Sequence, residues 1–181
     1  MLEVLHEFFY IETIIWLFPV IFMFHDLEEI ITVESFMTKY KNRVPKAFLA
    51  RLALIVKKKL GTKSAQLSIT AAWILLIISF ITFMTAYLLT IEGNLILFTA
   101  TLNIFFLQAF SHIGQTIIFR GYTPGVITAL FIVIPYSLLT YYRLFELGLI
   151  DGHLIFESIP FSILMVPIFL MGNLLGRRLI R

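Results

Sequence analysis

The feature that most constrains this chain is a series of long apolar stretches with almost no charge. Four of them cover residues 65–91, 95–119, 126–142 and 153–175 of the 181-residue sequence. Each is close to the ~20 residues that a helix needs to cross a ~30 Å hydrocarbon layer. With 60% of its residues apolar and only 14% charged, the chain differs clearly from an ordinary soluble domain.

A fifth apolar stretch, residues 8–24, runs directly into the charged segment His25-Asp26-Leu27-Glu28-Glu29. Its flank carries glutamates instead of the positive residues of a signal peptide, so we expect a retained helix. We predict an all-α membrane protein, a single domain over residues 1–181 that forms a bundle of five transmembrane helices. The predicted spans are approximately 10–33, 65–91, 95–119, 124–144 and 153–176.

The positive charges predict the orientation of these spans. Nine of the fourteen Lys and Arg residues lie between Lys39 and Lys63, and such a connection is expected on the cytoplasmic side. Five spans then place thirteen positive charges inside and one outside. We predict a multi-pass protein of the cytoplasmic (plasma) membrane, the cell inner membrane, with its N-terminus outside and its C-terminus inside.

The basic connection itself has a helical pattern. Phe48, Leu52 and Ile55 share one face, and Pro45 suits a first helical position. We predict a basic interfacial helix on the inner leaflet, between the first and second spans. The Lys57-Lys58-Lys59 run is typical of a topology anchor that contacts anionic lipid, so no nucleic-acid partner is predicted.

Two groups of polar side chains lie within the predicted spans. His25, Glu28 and Glu29 share one face of the first span, and Gln108 and His112 share one face of the third. Both groups lie toward the cytoplasmic ends of their helices, so we expect them to meet at one depth. Ionisable groups inside a membrane are costly and usually functional.

This donor set suits a divalent transition metal, zinc first and iron or manganese as alternatives, because the chain has no cysteine. The predicted metal ligands are His25, Glu28, Glu29 and His112. The predicted catalytic residues are Glu28, Glu29, Gln108 and Arg120. One glutamate would bind the ion while the other acts as base, and an amide or guanidinium would hold the substrate.

These roles predict a membrane-embedded metal-dependent hydrolase that acts on a lipid-like substrate near the inner leaflet. Three alternatives remain open from the residues alone. A metal-free Glu/His network would suit a small proton-coupled transporter or a ligand-binding membrane protein. In the second, Glu28 and Glu29 pair with Lys39 or Lys41 at the inner interface, and His112 is a hydrogen-bonded core residue. In the third, the chain is a scaffold subunit that uses its polar stripe to bind another membrane helix.

The segment HxxEE at residues 25–29, with the later His112 and the turn Arg120-Gly121-Tyr122-Thr123-Pro124-Gly125, resembles the HXXEE family of small bacterial and archaeal membrane proteins. Family members often carry Asn four residues before the second His, where this chain has Gln108. The resemblance supports the choice of site residues. It implies no substrate, because the family has no established activity.

Several further residues carry structural expectations. Thr123 suits the cap of the fourth helix and Pro124 its first position. Asn103 is expected to make an interhelical hydrogen bond, and Gly172 with Gly176 to allow close approach of a neighbouring helix.

Overall fold

The computed structural model describes residues 10–41, 48–89 and 92–180, and over these ranges the chain is helical with no β-strand. The helices are α1 (Ile11–Lys41), α2 (Phe48–Leu60), α3 (Ser64–Tyr87), α4 (Glu92–Phe119), α5 (Val126–Glu146) and α6 (Gly152–Leu179). The prediction of an all-α protein is confirmed.

Four of these helices, α3 to α6, are long and apolar enough to cross a membrane, so the chain is a multi-pass membrane protein. Composition alone does not identify α1 as a membrane-spanning helix, because its apolar sequence is interrupted by four acidic residues: Glu12, Asp26, Glu28 and Glu29. The helix is long enough to cross a membrane, since its 31 residues extend over about 46 Å.

The apolar half of α1 lies in the centre of the core. Ile14 and Phe18 are almost fully buried. The Phe18 ring packs among the rings of Phe98, Phe105 and Tyr136, and the Tyr136 hydroxyl donates to the Ile14 carbonyl at 2.9 Å. Aromatic packing therefore joins α1 to both α4 and α5.

The outward surface of the helices is apolar. Leu76, Phe131 and Phe156 are 66%, 71% and 73% exposed, each on a different helix. A soluble protein exposes single apolar residues among polar ones, whereas an outer surface of this composition fits lipid. Phe48, Leu52 and Ile55 of α2 are also exposed, while Pro45 lies outside the described residues.

Small residues bring α3 and α6 into close contact, as predicted. A Cβ atom on Gly176 would lie 2.5 Å from the Gln66 carbonyl oxygen, and one on Gly172 would lie 2.9 Å from Cδ1 of Trp73. The Trp73 indole donates to the Ile168 carbonyl at 3.0 Å. Backbone approach of this kind is how helices associate in lipid.

Asn103 joins three helices by hydrogen bonds, which confirms the interhelical bond predicted for it. Its amide nitrogen on α4 donates to Ser158 Oγ on α6 at 2.8 Å. Its oxygen accepts from the Tyr141 hydroxyl on α5 at 2.5 Å. The polar groups in this part of the bundle are thus directed at one another.

A π-helical segment, Ala129–Val133, interrupts α5 just before Pro135. In an uninterrupted α-helix, Thr128 and Tyr136 would point about 80° apart, and the extra residue of a π turn reduces this to about 20°. Both side chains face α1, where Thr128 contacts His25 and Tyr136 contacts Ile14. The π segment therefore aligns the polar and apolar contacts of α5 on one face.

Candidate functional site

His25 is completely buried where α1 meets the first turn of α5. Its Nδ1 atom lies 2.9 Å from the hydroxyl oxygen of Thr128. Its ring lies against that of Phe105 and, with centroids 4.8 Å apart, against that of His112. The structure thus brings together the two histidines that the sequence places on α1 and α4.

Glu28 binds the start of α5. Its Oε2 accepts from the Thr128 backbone N–H at 2.7 Å and from the Thr128 hydroxyl at 2.5 Å. Its Oε1 accepts from the Ile127 N–H at 3.2 Å and from the Tyr122 hydroxyl at 2.7 Å. The first N–H groups of a helix have no partner within it and carry partial positive charge, so a carboxylate from α1 acts as the cap of α5.

Tyr122 completes this cap from the turn between α4 and α5. Burial raises the pKa of Tyr122 to about 12, and the Glu28 carboxylate that its hydroxyl contacts acts in the same direction. The phenol therefore keeps its proton at neutral pH and donates it to Glu28.

These contacts define the tautomer of His25. The Thr128 hydroxyl has one hydrogen, and Glu28 is an acceptor because it already receives two backbone N–H groups. The hydroxyl therefore donates to Glu28 and accepts from Nδ1–H of His25. In a neutral imidazole of this tautomer, Nε2 carries the lone pair, and the same arrangement orients metal-binding histidines.

Glu29 points to a different neighbour from Glu28. Its Oε1 lies 3.4 Å from Nε2 of His112, and the two side chains are 20% and 4% exposed. Thus α1 contributes one carboxylate to the start of α5 and the next to the imidazole of α4. Neither of these contacts is the lysine pairing of the interfacial alternative.

Gly125 allows the turn before α5 to pack against this centre. Its φ of +86° is left-handed, a conformation that glycine adopts without strain. A Cβ atom here would lie 2.9 Å from Cε1 of His112 and 3.1 Å from Cγ of Glu29. The glycine is needed both for its backbone conformation and for the space it leaves.

The expected roles of Thr123 and Pro124 are wrong. Gly125 is the N-cap residue and makes no side-chain cap, so Pro124 precedes the helix. The Thr123 hydroxyl instead contacts Thr116 Oγ1 at 2.6 Å and the His112 carbonyl at 3.4 Å. Its side chain faces α4, and the cap of α5 comes from Glu28 on another helix.

A cavity of about 130 Å³ adjoins the centre. Its polar lining comes from α1, α3, α4 and α6: Asp26, Glu29, Thr70, Thr101, Gln108 and Asn173. Gln108 is half-buried, whereas Arg120 is exposed on the turn after α4. Of the predicted catalytic residues, Glu29 and Gln108 therefore line one space, Glu28 faces α5, and Arg120 lies at the surface.

The predicted metal ligands do not form a ready coordination sphere. His25, His112 and Glu29 are neighbours, while Glu28 is directed at α5. Across residues 10–41, 48–89 and 92–180, no three imidazole or carboxylate groups are arranged to hold an ion as they stand. A metal centre at these residues therefore stays a prediction.

Sequence reasoning missed Thr128, Gly125 and Asp26 as parts of this site. Asp26 lines the cavity although it lies off the His25 face of α1. A signal for Thr128 existed, because a Pro-Gly turn before an apolar helix leaves N–H groups that a buried carboxylate would cap. For Gly125, the sequence indicated a position in a turn but no contact with the site.

A family model described as "Protein of unknown function with HXXEE motif" matches residues 16–140, a range that contains His25, Glu28, Glu29 and His112. No curated protein and no solved structure matches the chain.

Proposed function

This chain belongs to the HXXEE family, and for this member we propose a divalent metal centre inside the membrane, formed by His25, Glu29 and His112. The proposed activity is hydrolysis of a lipid-like substrate near the inner leaflet. Zinc is the first candidate for the ion, and iron or manganese are the alternatives.

The observation that carries this proposal is the separation between Glu29 and His112. Two ligand atoms, each about 2.1 Å from a tetrahedral ion, lie about 3.4 Å apart. Glu29 Oε1 and His112 Nε2 are 3.4 Å apart, whereas a charge-assisted hydrogen bond is typically about 2.7–2.9 Å. The pair is too long for a strong hydrogen bond and has the spacing of two metal ligands.

His25 supplies the third ligand through Nε2, because its Nδ1–H is bonded to Thr128. Thr128 and Glu28 then act as positioning residues, since they hold the ring and its tautomer. Three protein ligands leave one position for water, and a bound divalent ion lowers the pKa of such a water toward neutrality.

The cavity beside the centre supplies the other groups that a hydrolase needs. Gln108 and Asn173 line it with amide groups that suit a substrate carbonyl or phosphoryl oxygen, and Asp26 lines it with a carboxylate. Arg120, exposed on the turn after α4, stays a prediction as the contact for an anionic head group.

The proposed topology has five spans, with α1 as the first. The central burial of Phe18 and the contacts of Glu28 with α5 support it, because both halves of α1 pack against other helices of the bundle. The N-terminus would lie outside, the C-terminus inside, and α2 on the inner leaflet of the plasma membrane. The exposed apolar face of α2, with Arg51 and Lys58 also exposed, supports the interfacial position.

A second candidate function is a small proton-coupled transporter or ligand-binding membrane protein. The observation that favours it is the approach of the Glu29 carboxylate to the His112 imidazole at 3.4 Å, since two such groups can exchange a proton. Such a protein would bind its ligand in the presence of a metal chelator. Its Glu29→Gln variant would lose the pH dependence of that binding.

Metal analysis of the purified, detergent-solubilised protein separates these functions. We expect near-stoichiometric metal in the wild type and its loss in His25→Ala and His112→Ala, each checked for helix content by circular dichroism. His153→Ala is the matched control, because that histidine pairs with Glu157 at the start of α6 and should keep the metal.

The same measurement on Glu28→Gln distinguishes a ligand from a positioning residue. We expect this variant to retain metal with affinity reduced by about 10–100-fold, as is typical of residues that hold a ligand in place. Folded wild-type protein that contains no metal and takes up none from added zinc, iron or manganese would contradict the proposed centre.

A further inference from the structure

A groove of about 730 Å³ lies between α4 and α6, on the outside of the bundle. Its lining is predominantly apolar and includes Phe106, Leu107, Ile159 and Ile163. The volume falls within the range of about 300–1,000 Å³ that is typical of ligand pockets. Ile163 is 66% exposed, so the groove opens toward the surroundings of the helices, which in a membrane protein are acyl chains.

The groove and the polar cavity have a common wall. Ile104, Gln108 and Phe169 line both spaces. The cavity side of this wall also carries Asp26 and Glu29. A molecule in the groove therefore contacts side chains that also line the polar cavity.

The polar groups of the groove lie unevenly along it. Gln108 and Ser111 lie at one end, one helical turn apart on α4. Toward the other end, the Asn103 amide contacts Ser162 Oγ at 3.4 Å, and Ser162 donates to the Ala100 carbonyl. The groove thus offers polar contacts at the Gln108 end, and its remaining polar side chains are bonded to the helices.

We infer that this groove binds one acyl chain of an amphipathic membrane lipid, with the lipid's polar end at Gln108 beside the cavity. An apolar groove with one polar end matches a single-chain amphiphile. Because Gln108 lines both spaces, that polar end lies beside the cavity that Glu29 also lines. The chemistry at the polar end rests on the proposed function, whereas binding of the chain does not.

Photolabelling tests the inference. The full-length protein is reconstituted in phosphatidylcholine vesicles that contain a palmitic acid analogue with a diazirine in its chain. After irradiation, labelled peptides are identified by mass spectrometry. We expect saturable labelling of α4 and α6 at the groove, and labelling of the outer face of α3 that rises linearly with probe concentration, as for bulk lipid.

Ile163→Trp should abolish the saturable labelling, because the larger indole ring obstructs the path of the chain along the groove. Ile31→Trp is the matched control, since Ile31 is 72% exposed but lies on α1, which does not line the groove. This variant should label like the wild type. Linear labelling at α4 and α6, or saturable labelling that survives in Ile163→Trp, would overturn the inference.

Repeating the labelling in His112→Ala separates this inference from the metal proposal. Saturable labelling that persists in a metal-free variant supports chain binding independently of the ion. Metal-replete wild-type protein without saturable labelling would overturn the groove inference and leave the metal centre intact.

Discussion

Glu28 and Glu29 are adjacent in the sequence, yet their side chains meet different partners. Successive residues of a helix point 100° apart, so Glu28 faces the backbone of α5 and Glu29 faces His112. Four donors from α5 and the turn before it contact the first carboxylate. The second lies beside an imidazole and a cavity. The two acids of the HxxEE motif therefore have separate roles.

Gly125→Ala is expected to destabilise the protein by about 1–3 kcal/mol from left-handed backbone strain alone. The clash of the new methyl group with His112 and Glu29 should add to this loss. Unfolding in a denaturing detergent, followed by circular dichroism, measures the change.

Two other glycines separate the effect of backbone strain from the effect of the steric clash. Gly148 has a φ of +65° but nothing within 4 Å of an added Cβ, so Gly148→Ala reports the backbone strain alone. Gly121→Ala, with no positive φ and an open environment, should be nearly neutral. If Gly125→Ala cost no more stability than Gly148→Ala, the packing of this turn against His112 would be disproved.

At the scale of helices, carboxylates of α1 cap two other helices. Glu28 accepts from the first N–H groups of α5, and Glu34 Oε1 accepts from the Ser64 N–H at the start of α3 at 2.8 Å. The Ser64 hydroxyl also donates to the Ile30 carbonyl at 2.6 Å. The starts of α3 and α5 therefore lie against the C-terminal half of α1, where negative charge offsets the positive ends of their dipoles.

Glu28→Gln and Glu34→Gln test this arrangement as a pair. Each substitution should reduce the stability of the helix that the glutamate caps by about 0.5–2 kcal/mol. Amide hydrogen exchange should accelerate in the first turn of α5 for Glu28→Gln and of α3 for Glu34→Gln. Each variant is the control for the other, and equal acceleration in both helices would indicate general loosening of the bundle instead of loss of a specific cap.

At the scale of the whole molecule, polar atoms meet inside the bundle and apolar side chains cover its outside. His25 and His112 are buried, while Leu76 and Phe131 are exposed. In lipid, the hydrophobic effect does not distinguish the core from the surface, so hydrogen bonds and close backbone packing decide which helix faces meet. The Asn103 bonds and the contact of Gly176 with α3 are of this kind.

Cysteine accessibility tests the five-span topology, and the chain has no cysteine to interfere. With a membrane-impermeant maleimide, Tyr10→Cys and Leu147→Cys should react in intact cells. Lys39→Cys and Lys58→Cys should react only after permeabilisation. All four positions are exposed. Reaction of Tyr10→Cys and Lys39→Cys from the same side would show that α1 does not cross the bilayer.

Much of this architecture was accessible from the sequence because its determinants are local. Apolar stretches of sufficient length predict the helices, and the 100° periodicity places His25 and Glu29 on one face of α1 and Gln108 and His112 on one face of α4. The close approach of α6 to α3 at Gly176 was also predicted, because a glycine, which has no side chain, is evident from the sequence.

The tertiary structure alone decided which atoms those residues contact. Glu28 and Thr128 are 100 positions apart. The turn before α5 indicates only that the first N–H groups of the helix need an acceptor, and nothing in the sequence identifies Glu28 as that acceptor. That pairing requires the start of α5 to reach α1, with Gly125 close to His112. Burial and periodicity are properties of single segments, whereas a cap or a ligand set depends on how several segments are oriented together.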